Sequence, residues 1–246
     1  MFLADDTQSL ALLYHLNSEP WLNAEAYAAE AYEVGVSELR EPEDAIVLPR
    51  AEGGLLDLLR RRESCRSFAP RQLPAPILGQ LLAGTYAMTR VVAFPNGIEM
   101  DARTVPSAGG LYPLELYLLL RRVEGIGDGV YHYRVRDHAL EPVAGPPGRE
   151  ELSSALLAAP FLEHANAIVL FAAVLDRTLH KYGARGYRYI LLEAGHAAQN
   201  LCLLATERGL SSLCVGGFMD ARMNALLGFK QGREAVVYCV GTGYPA

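Results

Sequence analysis

This sequence is short of the features that mark several protein classes. No apolar run approaches the roughly 20 residues that a membrane-crossing helix needs, so no membrane partner is expected. Basic residues are outnumbered: 22 Lys and Arg stand against 28 Asp and Glu, a net charge of −6. A surface of that sign argues against nucleic acid as the main partner, because backbone binding needs a basic face. Cysteine is scarce, with four in 246 residues. Cys65, Cys202, Cys214 and Cys239 form no C-x-x-C, and no histidine spacing completes a zinc set. No metal is therefore expected, and the thiols read as isolated, mostly buried groups. The first ten residues carry Asp5 and Asp6 where a secretory signal would carry basic residues and an apolar core. No signal peptide is expected, and the cytoplasm is the expected compartment.

What remains is an ordinary globular composition, 51% apolar and 20% charged. A chain of this length buries roughly 70–75% of its unfolded surface and needs no disulfide or metal staple. The prolines at 20, 42 and 49 break up a helical N-terminal extension over residues 1–51, in which Leu10, Leu13, Tyr14 and Leu16 share one helix face. The main domain is expected over 52–246. Leu55 to Leu59 predict a short helix running into Arg60-Arg61-Arg62. Pro74 and Pro76 open another, with Ile77, Leu78, Leu81 and Leu82 inward. A loop is expected from about Thr89 to Pro106. Leu114–Arg122 and Ala167–Val174 are short apolar runs bounded by breakers, which predicts buried strands. Gly129–Val135 and Ala139–Val143 predict a hairpin, with Tyr131 and Tyr133 on the sheet surface. A long helix is predicted from about Arg185 to Arg208, ended by Gly209. A strand at Ser212–Val215, a helix at Asp220–Leu227 and a strand at Ala235–Val240 follow. This order predicts a mixed sheet flanked by helices.

Three segments could hold one ligand. In Arg62-Glu63-Ser64-Cys65-Arg66, two guanidinium forks flank a hydroxyl, which suits a phosphate. The same residues equally suit a solvated helix end that opposes the dipole. In Pro106-Ser107-Ala108-Gly109-Gly110-Leu111-Tyr112-Pro113, paired glycines admit a flat ligand to the backbone and the prolines stiffen the approach. A plain turn has the same composition. The segment matches neither G-x-G-x-x-G nor a Walker loop, so it does not indicate a Rossmann or P-loop site. In Cys214-Val215-Gly216-Gly217-Phe218, glycines follow a strand and could present N–H groups, or could simply end it.

Taken in this order, the three segments resemble the nitroreductase superfamily of FMN enzymes. Within it, Lys181-Tyr182-Gly183-Ala184-Arg185-Gly186-Tyr187-Arg188-Tyr189 and Glu193-Ala194-Gly195-His196-Ala197-Ala198-Gln199-Asn200 resemble the SagB-type azoline dehydrogenases. So does Val240-Gly241-Thr242-Gly243-Tyr244. The resemblance implies an α+β nitroreductase-like fold with a mixed, mainly antiparallel central sheet flanked by helices. It implies a homodimer with FMN at the interface. Arg62, Ser64 and Arg66 would hold the phosphate and ribityl chain. Pro106, Ser107, Ala108, Gly109 and Gly110 would reach the flavin from the other chain. Val215, Gly216 and Gly217 would lie at the flavin edge, the Gly216 N–H facing N5. The family commonly has Asn where Gly110 stands and a basic C-terminal tail that is missing here. Arg188 or Arg185 would supply that charge.

The resemblance also makes Lys181 and Tyr182 an acid–base pair. Converting a thiazoline or oxazoline to an azole removes a hydride, to flavin N5, and a proton, to a base. Lys and Tyr ordinarily ionise near pH 10, so a base acting at neutral pH needs help from nearby charge. Lys181 would otherwise be a solvated lysine before the long helix. His196 is expected to be a satisfied buried histidine. The implied substrate is a heterocycle in a peptide, on a carrier, or free, with dioxygen reoxidising the flavin. The alternatives are an NAD(P)H-dependent nitro- or quinone reductase and a non-catalytic docking subunit.

Overall fold

A computed structural model describes residues 13–15, 18, 46, 48–49, 51–93, 97, 99–229 and 232–246. Apart from these few positions, the N-terminal extension lies outside the described residues. That includes Leu10 and Leu16 of its expected helix face and the proline breaks at 20 and 42. Residues 13–15 are helical.

A six-stranded sheet organises the domain. Its strands are β3 (Leu114–Leu120), β4 (Gly129–Arg134), β5 (Ala139–Ala144), β6 (Ala167–Val174), β7 (Ser211–Val215) and β8 (Glu234–Gly243). Their order is β5-β4-β3-β6-β8-β7, and every pair is antiparallel. One parallel bridge, Ser64 to Ser212, extends the β7 edge. The central strands are apolar on both faces because helices cover both. Along β6, Ala167, Val169, Phe171 and Ala173 enter one core, and Ile168, Leu170 and Ala172 enter the other. The first core is closed by α2 (Ala75–Tyr86) and α5 (Arg185–Glu207). The second is closed by α3 (Arg149–Ala155) and α6 (Asp220–Leu226). The period of two along each strand thus yields a three-layer α/β/α sandwich.

Two remaining helices matter for the site. α1 (Leu55–Arg61) carries the arginines into the β7 edge, and α4 (Asp176–Tyr182) links β6 to α5. The helix α5 ends as expected, with Gly209 at φ 69° after its C-cap Arg208.

The structure corrects four expectations. Thr89–Pro106 is not a loop throughout: β1 (Met88–Ala93) and β2 (Glu99–Arg103) pair antiparallel. Its β-branched Thr89, Val91 and Val92 favour a ribbon although most of β1 faces solvent. Tyr133 is not on the sheet surface but 1% exposed, because it sits opposite Leu116 on the face that α2 covers. Its partner in the pattern, Tyr131, is half-buried. His196 is exposed on the outer face of α5 rather than buried. Cys202 and Cys214 are not isolated: their sulfurs lie 3.5 Å apart, and Cys214 is exposed.

Candidate functional site

The expected site residues fall into two groups. The first lies along the β7 edge. Leaving α1, the chain from Arg62 to Arg66 runs beside β7, where the Cys65 N–H donates to the Ser212 carbonyl at 2.9 Å. Arg62 is half-buried, and Ser64 and Arg66 are exposed. Among the described residues neither guanidinium forms an ion pair or a side-chain hydrogen bond. Strand β7 delivers Val215, whose side chain is buried, to Gly216 and Gly217. A Cβ built on Gly216 would meet only Tyr238 Cε2, at 4.0 Å, so the backbone there is open. Cationic side chains and an open glycine turn thus share one sheet edge.

The second group gathers around the loop from Pro106 to Pro113. Gly109 and Gly110 sit at φ 65° and 67°, in the left-handed region that glycine adopts without strain. A Cβ on Gly110 would overlap Met100 Sδ of β2. A Cβ on Gly109 would stand 2.7 Å from the Tyr182 hydroxyl and 2.8 Å from Lys181 Nζ. The last two residues of α4 therefore close directly on the loop backbone. Lys181 is exposed and Tyr182 half-buried. Lys181 Nζ lies 5.3 Å from the Tyr182 ring centre, and that ring meets Tyr189 edge-on at 5.1 Å. Lys181 thus lies before the long helix and is exposed, as expected, at the C-terminus of the short helix α4.

Beneath this loop lies a buried polar network that the motifs did not disclose. The Tyr86 hydroxyl donates to Glu193 Oε1 and accepts the Leu114 N–H at 3.3 Å. The Ser107 hydroxyl also hydrogen-bonds Glu193, and its oxygen accepts the Tyr112 N–H at 2.9 Å. Arg103 lays its guanidinium over the Tyr86 and Tyr112 rings, at 4.5 and 5.0 Å. Burial raises the Glu193 carboxyl above its usual range, against the opposing effects of Ser107, Tyr86 and Arg103. Burial and the Glu193 charge push the Tyr86 phenol well up, so it stays a donor. One signal was available. Glu193 follows Ile190 by three on the inward face of an apolar helix, where an ionisable group needs partners.

The helix α4 is pinned at its other end. Arg177 pairs with Glu115 of β3 at 2.6 Å and donates to the Tyr112 carbonyl at 3.2 Å. Glu115 is shared with His132 of β4, at 3.0 Å. Burial raises Glu115, but His132 and Arg177 outweigh it and hold the carboxyl below its ordinary 4.5. The hydrogen bond to Glu115 raises His132 above 6.5 against the effect of burial. A lowered carboxyl stabilises the fold above its unfolded value and loses that contribution as pH falls through the folded one. A raised histidine does so below its unfolded value and loses it as pH rises through the folded one. Both contributions are complete between pH 4.5 and 6.5. Glu115→Gln is therefore expected to lower the melting temperature most in that window and less above the histidine's titration, where only Arg177 still depends on the charge. A gap that stays constant across the histidine's titration would refute the coupling.

Arg188 is exposed on α5 with no ion pair among the described residues, and nothing ties it to either group. Nor does any hydrogen bond or ion pair among those residues join the first group to the second. No group of three His, Cys, Asp or Glu among them could hold a metal, and no helix among the described residues is long and apolar enough to cross a membrane.

The chain belongs to the nitroreductase family, a family of oxidoreductases, whose profile matches residues 59–244. It is 36% identical over 177 residues to MJ1384 of Methanocaldococcus jannaschii, assigned as a nitroreductase, covering 72% of this chain and 85% of that one. It is 33% identical to the microcin B17-processing protein McbC of Escherichia coli, over 68% of this chain and 65% of McbC. A chain of the E. coli microcin synthetase McbBCD complex, solved with truncated pro-MccB17 bound, superposes with a TM-score of 0.67 at 23% identity. That match covers 100% of this chain and 95% of the other.

Proposed function

We propose that this chain is an FMN-dependent dehydrogenase of the SagB type, oxidising a thiazoline or oxazoline in a peptide precursor to the aromatic azole. One observation carries the reading: the ends of Lys181 and Tyr182 meet the left-handed backbone of Gly109 so closely that a Cβ there would displace them. A contact of that kind keeps a proton-transferring pair and a glycine turn together where a flat ring can stack. The kinship with McbC, a microcin-processing protein, supports a peptide-borne heterocycle.

The residues present fit FMN. Arg62, Ser64 and Arg66 offer a hydroxyl and two guanidinium groups without an ion pair among the described residues to the phosphate, beside the open turn at Gly216. Arg188 stands apart from these and is the weaker candidate. When bound, the flavin supplies a two-electron acceptor for hydride. The chain's own residues do the rest. Val215 ends the edge strand β7 with its own side chain buried, and so fixes where Gly216 and Gly217 present their N–H groups. The 106–113 loop shapes the facing wall, and Lys181 and Tyr182 remove or relay the substrate proton. No hydrogen bond or ion pair among the described residues joins the two groups, and in this reading a second copy completes the site. Leu55, Leu56 and Leu59 of α1 and Leu191 and Leu192 of α5 are exposed and would bury in such a homodimer.

The assignment is tested with the purified protein under anaerobic conditions. A yellow preparation bleached by an azoline peptide, with the product lighter by two hydrogen masses, is the expected result. Bleaching by NAD(P)H but not by azoline would turn the reading to a nitro- or quinone reductase. A colourless protein that takes up no FMN would leave a docking subunit.

A further inference from the structure

We propose that Cys202 and Cys214 form a peroxide-reactive dithiol, oxidised by a hydroperoxide to a disulfide that joins the long helix α5 to the edge strand β7. The two sulfurs come from different elements and stand 3.5 Å apart, about 1.5 Å beyond a disulfide bond. The pair is asymmetric: Cys214 is exposed and Cys202 buried. One thiol is therefore within reach of a small oxidant, and the other is held behind it to complete the bridge. The remaining two cysteines lack this arrangement. Cys65 donates to the Ser67 carbonyl at 3.0 Å, and Cys239 is buried with its thiol on the Val215 carbonyl at 3.2 Å.

The surroundings select which sulfur reacts. Cys214 faces Cys202 of α5, Tyr238 of β8 and Arg62 at the end of α1, with Cys239 of β8 behind. The hydrogen bond from Cys202 lowers the Cys214 thiol most. Burial opposes it, and the Tyr238 hydroxyl and the Arg62 charge add to the lowering, which brings it to about 6. The same contact, with burial, drives the Cys202 thiol far up, so Cys202 keeps its proton. At neutral pH the pair is one thiolate and one thiol, the state in which a thiolate attacks.

The electron count closes. The Cys214 thiolate attacks one oxygen of ROOH. An S–O bond forms, the O–O bond breaks, and the alkoxide leaves as ROH after taking a proton. This gives Cys214 sulfenic acid. The Cys202 sulfur then attacks Cys214 as it loses its proton. The S–S bond forms, the S–O bond breaks, and hydroxide leaves as water. Two thiols are oxidised, and one peroxide is reduced to an alcohol and water. A dithiol reductant reverses the bridge. The proposed azoline oxidation, with dioxygen as acceptor, would release such an oxidant nearby. The dithiol nevertheless rests on its own geometry.

The test uses the full chain and hydrogen peroxide. Peptide mapping is expected to find Cys202 linked to Cys214, with the intact mass lower by two hydrogens and the other two thiols free. Thiol loss should accelerate as pH rises through about 6 and level off above it. Cys202→Ser should stop at a sulfenic acid on Cys214 that a 1,3-diketone traps. Cys214→Ser should lose its thiols about 10-fold more slowly or worse. Peroxide that first oxidises Cys65 or Cys239, or a wild-type map without the 202–214 link, would overturn the proposal. The map alone decides should either variant fold poorly. The readout is a disulfide map and a thiol count, not flavin bleaching or azoline turnover, so its outcome is separable from that of the proposed activity.

Discussion

Lys181→Ala is expected to cut azoline turnover by about 10²–10⁴-fold, the usual loss when a positioned acid–base group is removed, while FMN stays bound. The two effects separate because the pair and the arginines belong to different groups of the site. Lys181 and Tyr182 close on Gly109, whereas Arg62, Ser64 and Arg66 lie along the β7 edge. Tyr182→Phe should reach a similar loss by a smaller change. It keeps the ring that packs edge-on against Tyr189 and removes only the hydroxyl nearest Gly109. The double variant should be little worse than either single one, since both side chains serve one proton path. The measurements are kcat with an azoline peptide and flavin absorbance per chain. A double variant with full activity would remove the assignment. Loss of flavin in step with activity would move the pair to cofactor binding.

How far these arrangements could be read from the sequence depended on the range of the cause. The strand Ala167–Val174 announced itself because both faces are buried, leaving an uninterrupted apolar run, and Leu114–Leu120 did so although Glu115 interrupts it. The long helix was equally plain, its 3.6 period kept from Tyr187 to Ala205 and closed by a left-handed glycine. The helix Asp176–Tyr182 was not recognised. In its seven residues only Thr178 and Leu179 turn inward, too few to make a period. The β1–β2 ribbon escaped because most of β1 faces solvent and shows no alternation. The site motifs disclosed which residues to watch but not their neighbours. That Lys181 meets Gly109, or that Cys202 meets Cys214, follows from the packing of α4 and α5 against a loop and an edge strand. No local pattern encodes either contact. His196 shows the converse failure. Its small neighbours suggested a buried face, and Ala197 does enter the core, but His196 and Gly195 turn to the side of the helix that the core does not reach.

Glu193→Ala tests whether the loop over the site is held from below. The carboxyl accepts the Tyr86 hydroxyl and hydrogen-bonds Ser107, inside a region that Arg103 and two aromatic rings close off from water. Truncation strands the Tyr86 donor, which costs about 1–3 kcal/mol, and leaves a cavity that adds to it. A total of about 2–4 kcal/mol corresponds to a melting temperature lower by roughly 4–16 °C in a domain of this size. Glu193→Gln keeps an acceptor of nearly the same shape and should recover most of the loss. The functional consequence follows from Ser107. Its oxygen holds the Tyr112 N–H, so freeing it loosens both ends of the turn that presents Gly109 to Lys181 and Tyr182. Azoline turnover should therefore fall in Glu193→Ala even at temperatures where the variant is fully folded, and return with Gln. If melting drops but turnover of the folded variant does not, the network supports the fold alone, and the loop keeps its shape through the left-handed backbone of Gly109, Gly110 and Tyr112.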